Sequence, residues 1–115
     1  MKNKIVLSSV ALLGSFFIFN SAFSANNNIV INEIAASPTS THEWIEIWNK
    51  GTDPVDLTGW KFWENNTNHG LSSSTTILNA NEYGAIVQDA DTFLLDHPLF
   101  KGPIFDSSWS SLYEQ

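Results

Sequence analysis

The 115-residue chain contains no cysteine and no arginine. Many small exported domains are stabilised by disulfides, and a chain without cysteine cannot form them. It also lacks the residue that carries the lipid of a lipoprotein. The apolar area of its core must come from other residues. Five tryptophans and eight phenylalanines are present, although several of the phenylalanines lie near the N-terminus, and we expect aromatic side chains to supply much of that area.

Basic residues are also scarce. Lysine is the only one, and after residue 25 three lysines face twelve aspartates and glutamates, which gives this part of the chain a net charge of −9. Unassisted binding to nucleic acid needs a basic footprint, so we expect no nucleic-acid partner. The same charge disfavours an anionic membrane surface. A strongly acidic surface is typical of a protein that stays soluble outside the cell.

The first 25 residues have the pattern of a secretory signal peptide. Lys2 and Lys4 give a positive start, residues 5–19 form an apolar run, and residues 21–25 are mostly small. The run is short for a bilayer span, which needs about 20 residues. We therefore predict a signal peptide over 1–25, export to the cell envelope or beyond, no stable membrane span, and one domain over 26–115.

The most informative stretch runs from Glu43 to Asn49, where side chains alternate with the period of a β-strand. Ile45 and Ile47 point to one face, while Trp44, Glu46 and Trp48 point to the other. Burying an unpaired carboxylate is costly, so Glu46 identifies the outward face. The pattern predicts two buried isoleucines and an outer, partly covered row of two tryptophans and one glutamate.

Similar patterns predict further strands over 29–34 and 57–64, with a turn at 50–54 and a bend at Gly59. Residues 65–74 read as a loop, followed by strands near 75–78 and 83–88. A single helical turn over 91–95 is expected, with Asp89 or Asp91 as its N-cap and a stop at His97. The predicted core combines five residues: Ile31, Ile45, Ile47, Trp60 and Phe62.

Three blocks, over 29–34, 43–49 and 55–62, follow one another in an order that resembles the lamin-tail domain in its bacterial secreted form. The resemblance extends more weakly to Phe105. It implies an all-β, immunoglobulin-like β-sandwich that serves as a binding or interaction module, often attached to exported enzymes. Because one fold hosts many functions, the resemblance indicates the fold more sharply than the function.

The resemblance also implies that the C-terminal strands are missing. Lamin-tail domains continue after a region like 105–112 with a turn and two or three more strands, whereas this chain ends at Gln115. Such a fragment exposes an unpaired edge and has little spare stability. We expect the mature chain alone to be poorly folded, or to be rescued by strand exchange with a second copy or a partner chain.

Catalytic and metal-binding patterns are weak. No serine lies in a Gly-x-Ser-x-Gly elbow, and the three histidines fall in separate loops without zinc-binding spacing. Asp89 and Asp91 have the oxygen donors that calcium prefers, but no EF-hand spacing follows them, and the sequence favours a helix-capping and loop-solvating role. Glu33 and Glu46 lie on strands that can pair, as an acid/base pair would, or can each make a structural hydrogen bond or an ion pair with Lys61. We predict no catalytic residue, no metal and no cofactor.

The best binding candidates are Trp44, Trp48 and Trp63, together with Glu46, because exposed aromatic side chains mark recognition surfaces. The alternative is that a neighbouring segment covers them as a second small core. The sequence therefore favours a secreted, non-catalytic module that binds a protein or cell-surface ligand. Two alternatives remain open: the N-terminal fragment of an exported hydrolase, and a carbohydrate-binding module that uses exposed tryptophans.

Overall fold

The computed structural model describes residues 27–37, 39 and 41–112, so the predicted signal peptide lies outside the described residues. Eight strands and one helix fall within these ranges. They are β1 Ile29–Ala35, β2 Trp44–Asn49, β3 Val55–Asp56, β4 Lys61–Glu64, β5 Thr67–Gly70, β6 Ile77–Leu78, β7 Tyr83–Val87, α1 Ala90–Asp96 and β8 Ile104–Asp106. No helix in this part of the chain is long and apolar enough to cross a bilayer.

Four strands form the main sheet, in the order β1-β2-β7-β8. The first three are antiparallel, and β8 runs parallel to β7. A parallel pair needs a crossover connection, and α1 lies in the segment that supplies it. Two smaller antiparallel pairs, β3–β6 and β4–β5, complete the sheet structure.

The inner face of the main sheet carries the larger core. Ile45, Ile47, Ile86 and Phe105 are buried there. Four further buried residues complete this cluster from other segments of the chain: Val55, Leu57, Leu78 and Trp109. Two layers of sheet around one apolar core are the arrangement expected of a β-sandwich. The prediction of an all-β, immunoglobulin-like fold is confirmed.

The opposite, outer face of the main sheet has a second apolar cluster beneath α1, in which Phe93 packs with Ala85 and Val87. The helix begins as the sequence predicts, because the Asp89 side chain accepts a hydrogen bond of 2.7 Å from the backbone N–H of Thr92. Hydrogen bonds from Thr92 hold the pKa of Asp89 below its usual 3.8. The helix ends at His97, also as predicted.

Two of the five predicted core residues are wrong: Ile31 is 57% exposed and Trp60 is 38% exposed. Ile31 lies on the predicted face, opposite Ile47 of β2, but nothing in the described chain covers it from the other layer. Trp60 lies outside any strand, because the predicted strand over 57–64 is interrupted. Gly59 adopts a φ of +76° in the bend predicted there, and the Trp60 N–H donates to the Leu57 carbonyl at 2.9 Å.

The loop predicted over residues 65–74 is also wrong in its first half, because residues 67–70 form β5 and pair with β4. Two residues, Asn65 and Asn66, connect the strands, with φ values of 41° and 58°. Tight hairpins favour a turn in which both central residues have positive φ, and asparagine tolerates that conformation. The polar composition of the segment is typical of a loop, although its first half belongs to a regular hairpin.

Candidate functional site

Three of the four predicted binding residues lie together on the outer face of the main sheet. Trp44, Glu46 and Trp48 alternate with Ile45 and Ile47 along β2, and all three are partly buried, as the sequence predicts. The fourth residue, Trp63, belongs to β4, which lies outside the main sheet. The predicted set is therefore divided between two surfaces.

The ring of Trp44 is largely occupied by the protein itself. It packs edge-on against Phe93, with ring centroids 6.0 Å apart, and against His97 at 5.2 Å. These contacts join Trp44 to the cluster under α1. Trp44 therefore packs mainly against a second small core, the one beneath α1.

Trp48 is better placed to contact another molecule. It stacks on Tyr83, with ring centroids 5.8 Å apart and planes within 10° of parallel. Its indole N–H donates to the Asn81 side-chain oxygen at 3.2 Å. Tyr83 is exposed and Trp48 is half-buried, so the pair forms a small aromatic surface with its polar atoms partly satisfied.

Two glutamates meet beside that surface. Glu33 of β1 lies opposite Glu46 of β2, next to a bulge in β1 between Ile31 and Glu33. Glu46 accepts a 2.7 Å hydrogen bond from the Asn32 side-chain amide, but no lysine of the described chain forms an ion pair with either carboxylate. Like charges opposite each other on neighbouring strands are unfavourable. This edge of the sheet is therefore acidic and lacks a neutralising cation within the described residues.

The second surface is an apolar groove of about 270 Å³ between β1 and β4, which we call the β1–β4 groove. Its rim includes Ile31, Trp60 and Trp63, and it reaches down to the core isoleucines Ile45 and Ile47. Trp63 is 61% exposed. A cavity of about 150 Å³ holds a benzene molecule, so this groove has room for a large apolar side chain.

The backbone of β1 forms one edge of the main sheet. The Asn49 N–H donates to Glu82, away from β1, whereas the Lys50 N–H donates to the carbonyl of Asn28. Lys50 and Asn28 therefore form a hydrogen-bonded pair of the ladder. Such pairs alternate with non-hydrogen-bonded pairs along an antiparallel ladder, so the pairs of Ile29 with Asn49 and of Ile31 with Ile47 are non-hydrogen-bonded. The N–H and C=O groups of Ile29 and Ile31 thus point away from β2. Among the described residues no strand pairs with these outward groups, which lie along the mouth of the groove.

Glu43 is an important residue that sequence reasoning missed. Its side chain is 1% exposed and accepts four hydrogen bonds. The donors are the Leu112 N–H at 2.7 Å, the Trp109 indole N–H at 2.9 Å, the Ser37 N–H at 3.2 Å and the Ser111 hydroxyl at 3.3 Å. Burial acts to raise the pKa of this carboxyl, but the four hydrogen bonds outweigh burial and hold it below the usual 4.5.

Each of the three histidines makes a structural contact. The His42 Nδ1 atom lies 2.6 Å from a carboxylate oxygen of Asp96, and the His69 Nε2 atom lies 3.1 Å from one of Glu64. His97 packs against the ring of Trp44. Across residues 27–37, 39 and 41–112, no group of three or more histidines and acids is placed to hold a metal.

Comparison with known proteins agrees with this architecture. The family model of the Lamin Tail Domain matches residues 22–112, which is most of the chain and includes all eight strands. Searches of curated proteins and of solved structures find no match. The blocks over 29–34, 43–49 and 55–62 lie within the matched range, in an immunoglobulin-like sandwich. The chain therefore belongs to the Lamin Tail Domain family.

Proposed function

We propose that this chain is an exported, non-catalytic module that binds a partner protein through the β1–β4 groove. One observation carries the proposal. Exposed Trp60, Trp63 and Ile31 surround an apolar groove that leads into the core, in a protein whose surface is otherwise strongly acidic. Tryptophan is enriched at the centres of protein interfaces because it supplies a large contact area with few flexible bonds.

The groove fits a protein ligand better than a sugar. Its lining is apolar apart from Lys61 at the rim. Sugar sites need several polar side chains to orient hydroxyl groups beside an aromatic platform. The outer face has such polar groups beside Trp48, but Trp44 is engaged by α1 and cannot extend the platform. A hydrophobic side chain of a protein partner is the simpler occupant of the groove.

A non-catalytic role is supported by the family and by the arrangement of the acids. The Lamin Tail Domain family is an immunoglobulin-like, non-catalytic family. Glu33 and Glu46 do lie opposite each other, but Glu33 is exposed on a strand at the edge of a sheet, and Glu46 is held by Asn32. An acid/base pair acts on a substrate held within hydrogen-bonding reach, usually in a concave site.

Export is the part of the proposal that the N-terminal residues support. The expected product begins between about residues 23 and 27, because signal peptidases cut after small residues at the end of an apolar run. Mass spectrometry of the protein in the extracytoplasmic fraction measures this directly. Intact Met1 on that material would contradict cleavage.

The binding proposal is tested by comparing two truncations of exposed apolar side chains. Trp63→Ala removes one aromatic side chain from the rim of the groove, and Leu95→Ala removes an 82% exposed side chain on α1, distant in the chain. Immobilised wild type and both variants are incubated with the extracytoplasmic proteins of the source cells, and bound proteins are quantified. We expect a set of proteins retained by wild type and Leu95→Ala but lost with Trp63→Ala.

A glycan array run in parallel tests the carbohydrate alternative, with Trp48→Ala as its matched variant. Glycan binding that is lost with Trp48→Ala and kept with Trp63→Ala would overturn the proposal. Equal protein retention by all three forms in the first experiment would also contradict it.

A further inference from the structure

The edge of β1 and the β1–β4 groove are continuous. The outward N–H and C=O groups of Ile29 and Ile31 belong to residues whose side chains also line the groove. Edge strands with free backbone groups recruit extended peptides, because main-chain hydrogen bonds form regardless of side-chain identity. In the described chain, β1 has seven residues and contains no proline or lysine to block such pairing.

Side chains of a strand added to β1 would alternate between two very different environments. Those on the inner side would enter the apolar groove beside Trp60 and Trp63. Those on the outer side would lie on the same face as Glu33 of β1, with Glu46 one strand further away on β2, and no lysine of the described chain forms an ion pair with either carboxylate. The inner positions therefore select apolar side chains, and the outer positions select lysine or arginine.

We propose that the partner of this domain binds as an extended strand along the edge of β1, with apolar residues in the groove alternating with basic residues on the acidic face that carries Glu33 and Glu46. The inference rests on the proposed function, which assigns the groove to a protein partner, and adds the backbone conformation and sequence pattern of that partner. The required segment is short, about the length of β1.

Charge complementarity distinguishes this occupant from a second copy of the chain. A second β1 would bring another Glu33 to an edge where Glu33 already faces Glu46. The chain after residue 25 carries twelve acids and three lysines, so two copies repel each other at long range as well. A basic strand would relieve the repulsion between the two carboxylates, whereas a second copy would increase it.

The test uses protein expressed from the full-length coding sequence and purified in the form that the cell exports. Its probe is a dye-labelled, end-capped heptapeptide in which valines alternate with lysines, and fluorescence anisotropy measures binding. One control peptide has the same composition with valines and lysines in separate blocks. Another has glutamate in place of each lysine. We expect the alternating basic peptide to bind at least about tenfold more tightly than either control, and more weakly as salt rises.

Main-chain pairing is tested on the peptide, so that no variant of the domain has to fold. One version carries N-methyl groups on the valine amides and another on the lysine amides. Alternate amides of a strand point to opposite edges, so only one set faces β1. Loss of binding with valine methylation indicates antiparallel addition, and loss with lysine methylation indicates parallel addition. Equal binding by both versions would overturn strand addition.

Variants of the domain locate the site. Ile31→Pro removes an N–H that faces away from β2, so β1 stays paired while the edge is blocked. We expect at least about a tenfold loss of affinity with this change and with Trp63→Ala, and about threefold with Glu33→Gln. Asp91→Asn, an exposed acid on α1, is the control for charge and should leave affinity unchanged.

The outcomes separate this inference from the proposed function. If Trp63→Ala abolishes retention of the partner proteins while the alternating peptide binds no better than its controls, the groove binds a protein but not as a basic strand. If Trp63→Ala has no effect on any ligand, the proposed function itself fails. If light scattering shows a dimer that Ile31→Pro dissociates, a second copy occupies the edge and the inference is wrong.

Discussion

The inner face of the main sheet is closed over β2 and open over β1. Ile47 and Ile31 lie opposite each other on these adjacent strands and point to the same side, yet Ile47 is 4% exposed and Ile31 is 57% exposed. The two side chains are identical, and neither strand's own sequence explains why one is buried and the other exposed. The difference comes from the layer above, which covers β2 with Leu57 and Leu78 but leaves β1 beneath the rim of a groove.

This contrast shows that alternation determines which way a side chain points, while its burial depends on the opposite layer. The interruption after β3 causes the opening. Gly59 turns the chain, and Trp60 then lies at the rim of the groove. A continuous strand over 57–64 would have placed Trp60 and Phe62 on one face. The interruption thus creates the one surface on which the proposed function depends.

The largest expected effect compares the two isoleucines directly. Ile47→Ala should lower the free energy of unfolding by about 2–4 kcal/mol, because it leaves a cavity in a packed core. Ile31→Ala should lower it by less than about 1 kcal/mol, because most of that side chain already contacts solvent. Chemical denaturation at 25 °C measures both. Equal losses would mean that the groove is closed in solution.

The next effect compares a buried carboxylate with a more exposed one. Glu43→Gln should cost about 1.5–3 kcal/mol, because the amide nitrogen replaces an acceptor oxygen and faces hydrogen-bond donors. Glu46→Gln should change stability by no more than about 0.5 kcal/mol, since it removes a charge from an acidic edge. A Glu43→Gln variant as stable as wild type would show that residues 109–112 are not held by this carboxylate.

The same residue predicts a dependence on pH. The pKa of Glu43 is lowered in the folded state, so the unfolded state binds more protons as the pH falls. The stability due to Glu43 is therefore fully present above the unfolded pKa of about 4.3–4.5 and is lost as the pH falls through the lower, folded pKa. Denaturation curves between pH 6 and pH 3 should show a shallower acid decline for Glu43→Gln than for wild type. Parallel declines would contradict the assignment.

The smallest expected effect concerns Trp63. Because 61% of its surface is exposed, Trp63→Ala should change the free energy of unfolding by only about 0.5 kcal/mol while removing partner binding. Thermal unfolding monitored by circular dichroism checks the first part. A loss as large as that of Ile47→Ala would place Trp63 in the core and remove it from the binding surface.

Much of the fold follows from local sequence patterns. The alternation around Ile45 identifies β2 and its buried face, and Asp89 marks the start of α1. The hairpin over 61–70 had a readable signal as well, because two asparagines between short segments favour a tight turn with positive φ. The polar composition of Thr67–Gly70, which lacks the apolar alternation of a buried strand, nevertheless favours a loop over a strand.

The remaining features depend on contacts between distant parts of the chain. Glu43 receives hydrogen bonds from Trp109 and Leu112, and no local pattern links those residues to it. The exposure of Ile31 depends on the path taken after Gly59. Trp44 and Trp48 look equivalent in sequence, but Trp44 packs against Phe93 of α1, whereas Trp48 stacks on Tyr83. Tertiary context of this kind overrides local preference.

The pairing of β2 with β7 has a consequence for the speed of folding. Trp44 pairs with Val87 and Trp48 with Tyr83, so the central ladder joins segments that are far apart in the chain. Closing the intervening loop costs entropy before any of these pairs forms, whereas the β4–β5 hairpin closes locally. We expect formation of the β2–β7 ladder to limit the folding rate, on a timescale of about milliseconds to seconds. Until it forms, the edge of β2 that faces β7 can pair with other chains, and the protein is most prone to aggregate during that interval.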